Sequence, residues 1–318
     1  MVRQMDDKLN KPSLSVNIAG VEFKNPVIAA SGSFGYGREY AKVFDLSLLG
    51  GISLKGMTLE ERQGNPPPRV AETPSGMLNC IGLQNPGVDF FIENELPFLK
   101  NQGTRLICNI AGSTVREYCA LAERLSDTDI DMIELNISCP NVKEGGAAFG
   151  TSCESAAGVT RAVRSCCKKP LMVKLSPNVT DIGEIAGAVE SEGADALSLI
   201  NTLIGMRIDI KTRKPVLSNN VGGLSGPAVF PVALGMVWRV ASRVKIPVVG
   251  IGGIEKWQDA VEMLLAGARA VQVGTATFND PYAMIKIAEG IENYLTHCGL
   301  SDVNALVGRV EPYSGGKV

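Results

Sequence analysis

The sequence predicts an α/β protein whose strands close into one parallel (β/α)8 barrel, and three observations predict it. Eight short apolar segments recur along the 318 residues, most of them followed by a stretch of helical periodicity. Parallel strands buried on both faces read as continuous Val/Ile/Leu runs rather than as an alternation. Nearly every segment also stops on a small or hydrogen-bonding residue, as it should where the carboxyl ends of barrel strands build a site. The length suits a TIM barrel of about 250 residues plus insertions, so residues 1–318 are expected to form a single domain.

The elements follow in order. Residues 14–24 (LSVNIAGVEFK) alternate and turn at Ala19-Gly20, which predicts an N-terminal β-hairpin covering the barrel floor. The barrel segments are VIAASG (27–32), GISLKG (51–56), LICNIAG (106–112), MIELNISCP (132–140), LMVKLSP (171–177), ALSLINT (196–202), PVVGIGG (247–253) and AVQVGTA (270–276). Helices are predicted over 113–127, opened by Ser113 with Glu117 one turn in, and over 151–167, opened by a Thr151–Glu154 capping box. Further helices are predicted over 179–195, stopped at Gly193, and over 256–270 and 281–295. Residues 58–86, 140–150 and 203–224 are too long and too rich in Gly, Pro or charge for ordinary connections. All three follow a strand, so they are expected as long βα-loop insertions on the catalytic face.

Composition narrows the function. The chain is 45% hydrophobic and 20% charged with a net charge of −2, so no basic surplus serves a nucleic acid backbone. No apolar run of about 18 residues is present to cross a membrane. The start, MVRQMDDKLNKPS, lacks the apolar region of a signal peptide, and the expected compartment is the cytoplasm. The eight cysteines form no C-x-x-C pair, so no zinc or iron–sulfur site is expected. All but Cys139 are read as small packing residues. The single histidine, His297, lies near the C-terminus in a helical stretch, where a surface or packing role is expected, so acid–base chemistry must use another side chain.

The strand ends carry the candidate site. Gly252 and Gly253 end strand seven, Gly274 and Thr275 end strand eight, and SGPA (225–228) offers Gly226 before the next helix. Backbone N–H groups with little side chain suit a phosphate, of a substrate or of a cofactor, although plain turns use the same residues. Lys174 lies within an apolar strand, and Lys55 ends another. An interior lysine is costly unless it meets an anion, which a structural ion pair would also provide. With the amides Asn109, Asn136 and Asn201 they describe a pocket for an anionic ligand rich in amides, and Ser31 and Thr202 also stand at strand ends. Cys139, beside these cations, is a candidate base or nucleophile.

Together these residues resemble the class 1 dihydroorotate dehydrogenases, FMN enzymes of pyrimidine biosynthesis. The likeness runs from NIAGVEFKNPVIAASGSFG (17–35) to VQVGTATFNDP (271–281). Its most specific pieces are NCIGLQNPG (79–87), NISCPNVKEGG (136–146), VKLSPN (173–178), LINT (199–202), GGLSGP (222–227), GIGGI (250–254) and VGTA (273–276). A cysteine at 139 and the absence of an N-terminal extension fit class 1. GLQNPG and PNVKEGG resemble the NAD-linked class 1B catalytic subunit, whose partner subunit carries FAD and a [2Fe–2S] cluster.

The resemblance implies roles. One FMN would place its phosphate at Gly226, Gly252, Gly253, Gly274 and Thr275. Ser31, Lys55, Gly56, Asn109, Asn136, Lys174 and Ile200 would meet its ring or ribityl chain, with Lys174 opposing the negative charge of the reduced ring. Dihydroorotate would be held by Lys55, the loop Asn79, Cys80, Ile81, Gly82 and Leu83, and by Asn136, Asn201 and Thr202. Cys80 stands where the family commonly has alanine and is expected to pack rather than react. Cys139 would take a proton from C5 while C6 delivers hydride to the flavin, and the loop 140–150 would close over the substrate. A homodimer, joined by two partner subunits into a heterotetramer, is the family expectation. The competing readings are a class 1A-like homodimer using fumarate, another FMN-dependent dihydropyrimidine oxidoreductase, and a non-catalytic phosphate-binding barrel. The last would be colourless and leaves Lys55, Lys174 and Cys139 without a joint purpose.

Overall fold

The computed structural model describes residues 11–138 and 149–313. The eight apolar segments form eight strands: β3 (Val27–Ala29), β4 (Gly51–Ser53), β7 (Arg105–Ile110), β8 (Met132–Asn136), β9 (Leu171–Lys174), β10 (Ala196–Leu199), β15 (Val248–Ile251) and β16 (Ala270–Val273). They pair in parallel, in sequence order, and β16 closes back on β3. Apart from Arg105, every residue in them is buried, as the unbroken apolar runs require.

The hairpin β1 (Val16–Ile18) and β2 (Val21–Phe23) lies across the strand starts. It turns at Ala19 and Gly20, both at positive φ. The Phe23 ring packs against the start of β4 so closely that a Cβ on Gly51 would lie 2.8 Å from it. Glycine there lets an aromatic ring close the floor.

The principal outer helices are α1 (Val115–Ser126), α2 (Cys153–Cys166), α3 (Ile182–Ser191), α4 (Phe230–Ala241), α5 (Trp257–Leu265) and α6 (Ala283–His297). Two helix starts differ from expectation by one residue. Thr114, not Ser113, caps α1 by accepting from the Glu117 N–H, while Ser113 donates its own N–H to the Glu117 carboxylate. Ser152, not Thr151, caps α2. Adjacent hydroxyls look alike in sequence, and the residue with extended backbone at the first turn takes the role.

The larger difference concerns two insertions. The segments 58–86 and 203–224 read as loops, yet each holds strands. β5 (Val70–Thr73) and β6 (Gly76–Asn79) come from the first, and β11 (Leu203–Met206) and β14 (Val221–Ser225) from the second. They combine in one antiparallel sheet, order β11-β14-β6-β5, while β12 (Ile208–Asp209) and β13 (Lys214–Pro215) form a small hairpin. This sheet stands over the barrel mouth and carries Asn79 and Leu224 to the cavity wall.

Candidate active site

A cavity opens at the carboxyl ends of the strands, where a TIM barrel keeps its site. Eighteen of the anticipated residues line it, and they fall into three groups. Ser31, Gly56, Asn109, Asn136, Lys174 and Ile200 form its floor; Lys55, Asn79, Asn201 and Thr202 stand on one wall with Ile81, Gly82 and Leu83. Gly226, Gly252, Gly253, Gly274 and Thr275 form the far end.

On the floor, Lys174 is only 5% exposed and reaches Ser31 Oγ at 3.5 Å. One layer deeper lies Glu134, 0% exposed. Its carboxylate accepts from Asn109 Nδ2 at 2.5 Å, Ser198 Oγ at 2.7 Å, Ser53 Oγ at 2.8 Å and Gln272 Nε2 at 2.8 Å. Burial alone would push its pKa up. The Lys174 charge and the donors from Asn109, Ser198 and Gln272 outweigh that and hold the carboxyl below its ordinary range. The cation at the pocket floor therefore has an anion beneath it. Asn136 Nδ2 donates to Asn109 Oδ1 at 3.4 Å, and Asn136 Oδ1 accepts from the Ser138 hydroxyl at 2.9 Å.

The wall that carries Asn79 is tied to the insertion sheet through that residue. Asn79 Nδ2 donates to the Gly223 carbonyl at 3.4 Å, and Asn201 Nδ2 donates to the Ser138 carbonyl at 3.0 Å. At the far end, Gly226, Gly252 and Gly253 have φ of +100°, +124° and +73°. Among the described residues the N–H groups of Gly252 and Gly253 donate to no backbone carbonyl, and the Thr275 hydroxyl donates to Ser225 Oγ at 2.9 Å. α4 begins beside this turn, since a Cβ on Gly253 would lie 2.6 Å from the Phe230 nitrogen. Free glycine N–H groups beside a helix start suit a cradle for an anion.

The chain matches the family model described as Dihydroorotate dehydrogenase over residues 13–295. It belongs to the dihydroorotate dehydrogenase family. Its relatives include the protein named dihydroorotate dehydrogenase B (NAD(+)), catalytic subunit, of Bacteroides thetaiotaomicron, 56% identical over 94% of this chain and 99% of the relative. A protein of the same name from Alkaliphilus oremlandii is 53% identical over 95% of this chain and all (100%) of its own length. The crystal structure of the dihydroorotate dehydrogenase from Eimeria tenella in complex with ferulenol superposes with a TM-score of 0.79 at 22% identity. That likeness covers 94% of this chain and 89% of the other and concerns the fold.

Of the anticipated residues among those described, Cys80 does not line the cavity. It follows Asn79 in the chain, but its side chain is fully buried with Ala71, Leu78 and Leu217 and contacts Pro68 O and Ser218 Oγ at 3.9 and 3.8 Å. It turns away because the loop alternates, sending Asn79 and Ile81 to the cavity and the residue between them into the insertion sheet. Cys80→Ala is expected to leave the steady-state rate within about twofold and to cost no more than about 1 kcal/mol by urea denaturation. Cys139, and most of the loop 140–150, lie outside the described residues.

The remaining cysteines fit the packing expectation only in part. Cys108 and Cys167 are buried, Cys119, Cys153 and Cys166 are half-buried, and Cys298 is exposed. Among the described residues no cluster of His, Cys, Asp or Glu could hold a metal, and no helix is long and apolar enough to cross a membrane.

The sequence reading missed the layer below the pocket. Glu134, Ser53, Ser198 and Gln272 each precede a pocket residue by two: Asn136, Lys55, Ile200 and Gly274. Residues i and i+2 of a strand share a face, so this spacing was the available signal.

Proposed function

We propose that the chain is the catalytic subunit of an NAD-linked dihydroorotate dehydrogenase, oxidising dihydroorotate to orotate in pyrimidine biosynthesis. The observation that carries the reading furthest is the buried Lys174 amine on a floor of amides, facing a cradle of positive-φ glycines across one cavity. That combination fits FMN: a planar ring with an electron-accepting edge at one end and a phosphate at the other. The glycines at 226, 252 and 253, with Gly274 and Thr275, hold the phosphate; Ser31, Gly56, Asn109, Asn136, Lys174 and Ile200 hold the ring and chain. Bound there, FMN supplies the two-electron acceptor for the hydride that leaves substrate C6.

The protein's own groups do the rest. Lys55 pairs with the substrate carboxylate, and Asn79, Asn136, Asn201 and Thr202 hydrogen-bond its ring, orienting C6 toward the cofactor side. The Cys139 thiolate accepts the C5 proton, so a C–H bond breaks on each carbon and a C=C bond forms. Lys174 opposes negative charge at the pocket floor as electrons arrive. The electrons pass to a separate subunit carrying FAD and [2Fe–2S], and from there to NAD. A cytoplasmic homodimer of this chain capped by two such subunits completes the reading.

Two measurements test it. Supplied with dihydroorotate, the chain should turn over with its partner subunit and NAD, and not with fumarate alone; sustained turnover on fumarate would favour the homodimeric alternative. Cys139→Ala should retain yellow, FMN-loaded protein while losing at least about a hundredfold in flavin reduction rate, general base catalysis contributing about that much. In the parent enzyme that rate should climb as the pH approaches the thiol's ordinary pKa of about 8.5. Unchanged reduction in Cys139→Ala would remove the base assignment.

A further inference from the structure

Glu134 has no part in that chemistry, yet its carboxylate lies at the barrel centre with one donor from each of β4, β7, β10 and β16. A barrel core needs no charge at this depth, because buried ion pairs add little net stability. An ionised carboxylate can only accept hydrogen bonds. Asn109 must therefore turn Nδ2 down to Glu134 and present Oδ1 upward, where Asn136 Nδ2 meets it. Asn136 in turn presents its Oδ1 to the Ser138 N–H and hydroxyl. The amides form a chain whose direction is set by the one member that cannot donate.

We infer that Glu134 is a positioning residue of this pocket: it fixes which way the Asn109 and Asn136 amides face and places a negative charge beneath Lys174. The inference rests on the flavin and dihydroorotate reading of the cavity. It explains why two pocket amides, each able to flip, present one hydrogen-bonding pattern to a planar ring. It also gives the pocket floor a paired rather than a net positive charge, which bears directly on how strongly the site favours a reduced, anionic ring.

Glu134→Gln tests this in the FMN-loaded protein. Glutamine keeps the shape, and Gln272 can turn its unpartnered Oε1 toward the new amide, so the core has a way to accommodate it. Glutamine can donate as well as accept, so the amide direction is no longer imposed. Flavin content and far-ultraviolet circular dichroism should match the parent. The flavin midpoint potential should move upward, since a negative charge has gone from beneath the ring, and KM for dihydroorotate should rise about tenfold. Glu134→Asp, which keeps the charge, should return the potential toward the parent value. Parent-like potential and KM in Glu134→Gln would overturn the inference.

If Glu134→Gln does not retain flavin, Ser198→Ala serves, because it keeps the carboxylate with one donor fewer. A carboxylate with fewer donors takes up a proton at higher pH. The flavin potential of Ser198→Ala should therefore show an added acid-range pH dependence, and a pH profile identical to the parent would overturn the inference. Failure of the parent protein itself to be reduced by dihydroorotate would instead sink the functional reading, leaving these comparisons of potential intact as a separate result.

Discussion

Lys174→Met is expected to abolish rapid reduction of the bound flavin by dihydroorotate and to make the fold acid-sensitive. Both effects follow from one vertical arrangement, with Lys174 at the pocket floor and Glu134 buried beneath it. Methionine keeps the length of the side chain and removes its charge. Above the floor, nothing cationic at this position then opposes negative charge as electrons arrive. The loss should be on the order of a hundredfold in the reduction rate, comparable to removing one preorganised electrostatic group elsewhere.

Below the floor, the Glu134 carboxylate loses the strongest influence holding its pKa down, leaving burial, which raises it, opposed only by hydrogen bonds. A carboxyl whose pKa is lower folded than unfolded adds stability above its unfolded pKa. That stability disappears as the pH falls through the folded value. In Lys174→Met the folded pKa moves up, so the loss begins at higher pH than in the parent. The variant should be destabilised by on the order of 3 kcal/mol near neutral pH, as for removal of one partner from a buried charge pair. Urea midpoints taken from mildly acidic to neutral pH check this. Parallel pH profiles for variant and parent would contradict it.

Gly253→Ala is expected to yield protein that folds but holds FMN about a hundredfold more weakly. Gly253 sits at φ +73°, where any other L-residue pays about 1–2 kcal/mol. Its added Cβ would lie 2.6 Å from the backbone nitrogen and the Cβ of Phe230, closer than real contacts allow. The neighbour is the start of α4, not the tip of a flexible side chain, so the cradle must open. The N–H groups that face the cavity then lose their common focus. Fluorescence titration of the stripped protein with FMN reads the effect. Gly187→Ala, on α3 with nothing near the new methyl group, is the control and should bind FMN as the parent does. Equal affinity in Gly253→Ala and Gly187→Ala would remove the phosphate cradle from this turn.

The barrel was legible because its strands are buried on both faces, which leaves apolar runs such as VVGI and the LMV before Lys174 in the sequence. The strand ends were legible for the same reason, since a lysine or an asparagine stands out at the close of an apolar run. The insertion sheet was not. Segments such as VAET and GMLN show no clear alternation, and their pairing joins two distant insertions, so only the assembled barrel brings them into register.

The Glu134 layer was legible in principle and was missed. The chemically conspicuous residues close each strand, while the parity that places Glu134 under Asn136 and Gln272 under Gly274 points one layer deeper. Cys80 shows the converse: it lies within a loop whose neighbours on both sides face the cavity, yet strand alternation turns its side chain into the sheet.

The most direct test of the central claim is an anaerobic titration of the purified, FMN-loaded chain with dihydroorotate, followed by its visible spectrum. The account predicts yellow protein that bleaches promptly, with one dihydroorotate consumed per flavin and orotate formed, in the absence of any partner. Yellow protein that stays oxidised under excess dihydroorotate would contradict it.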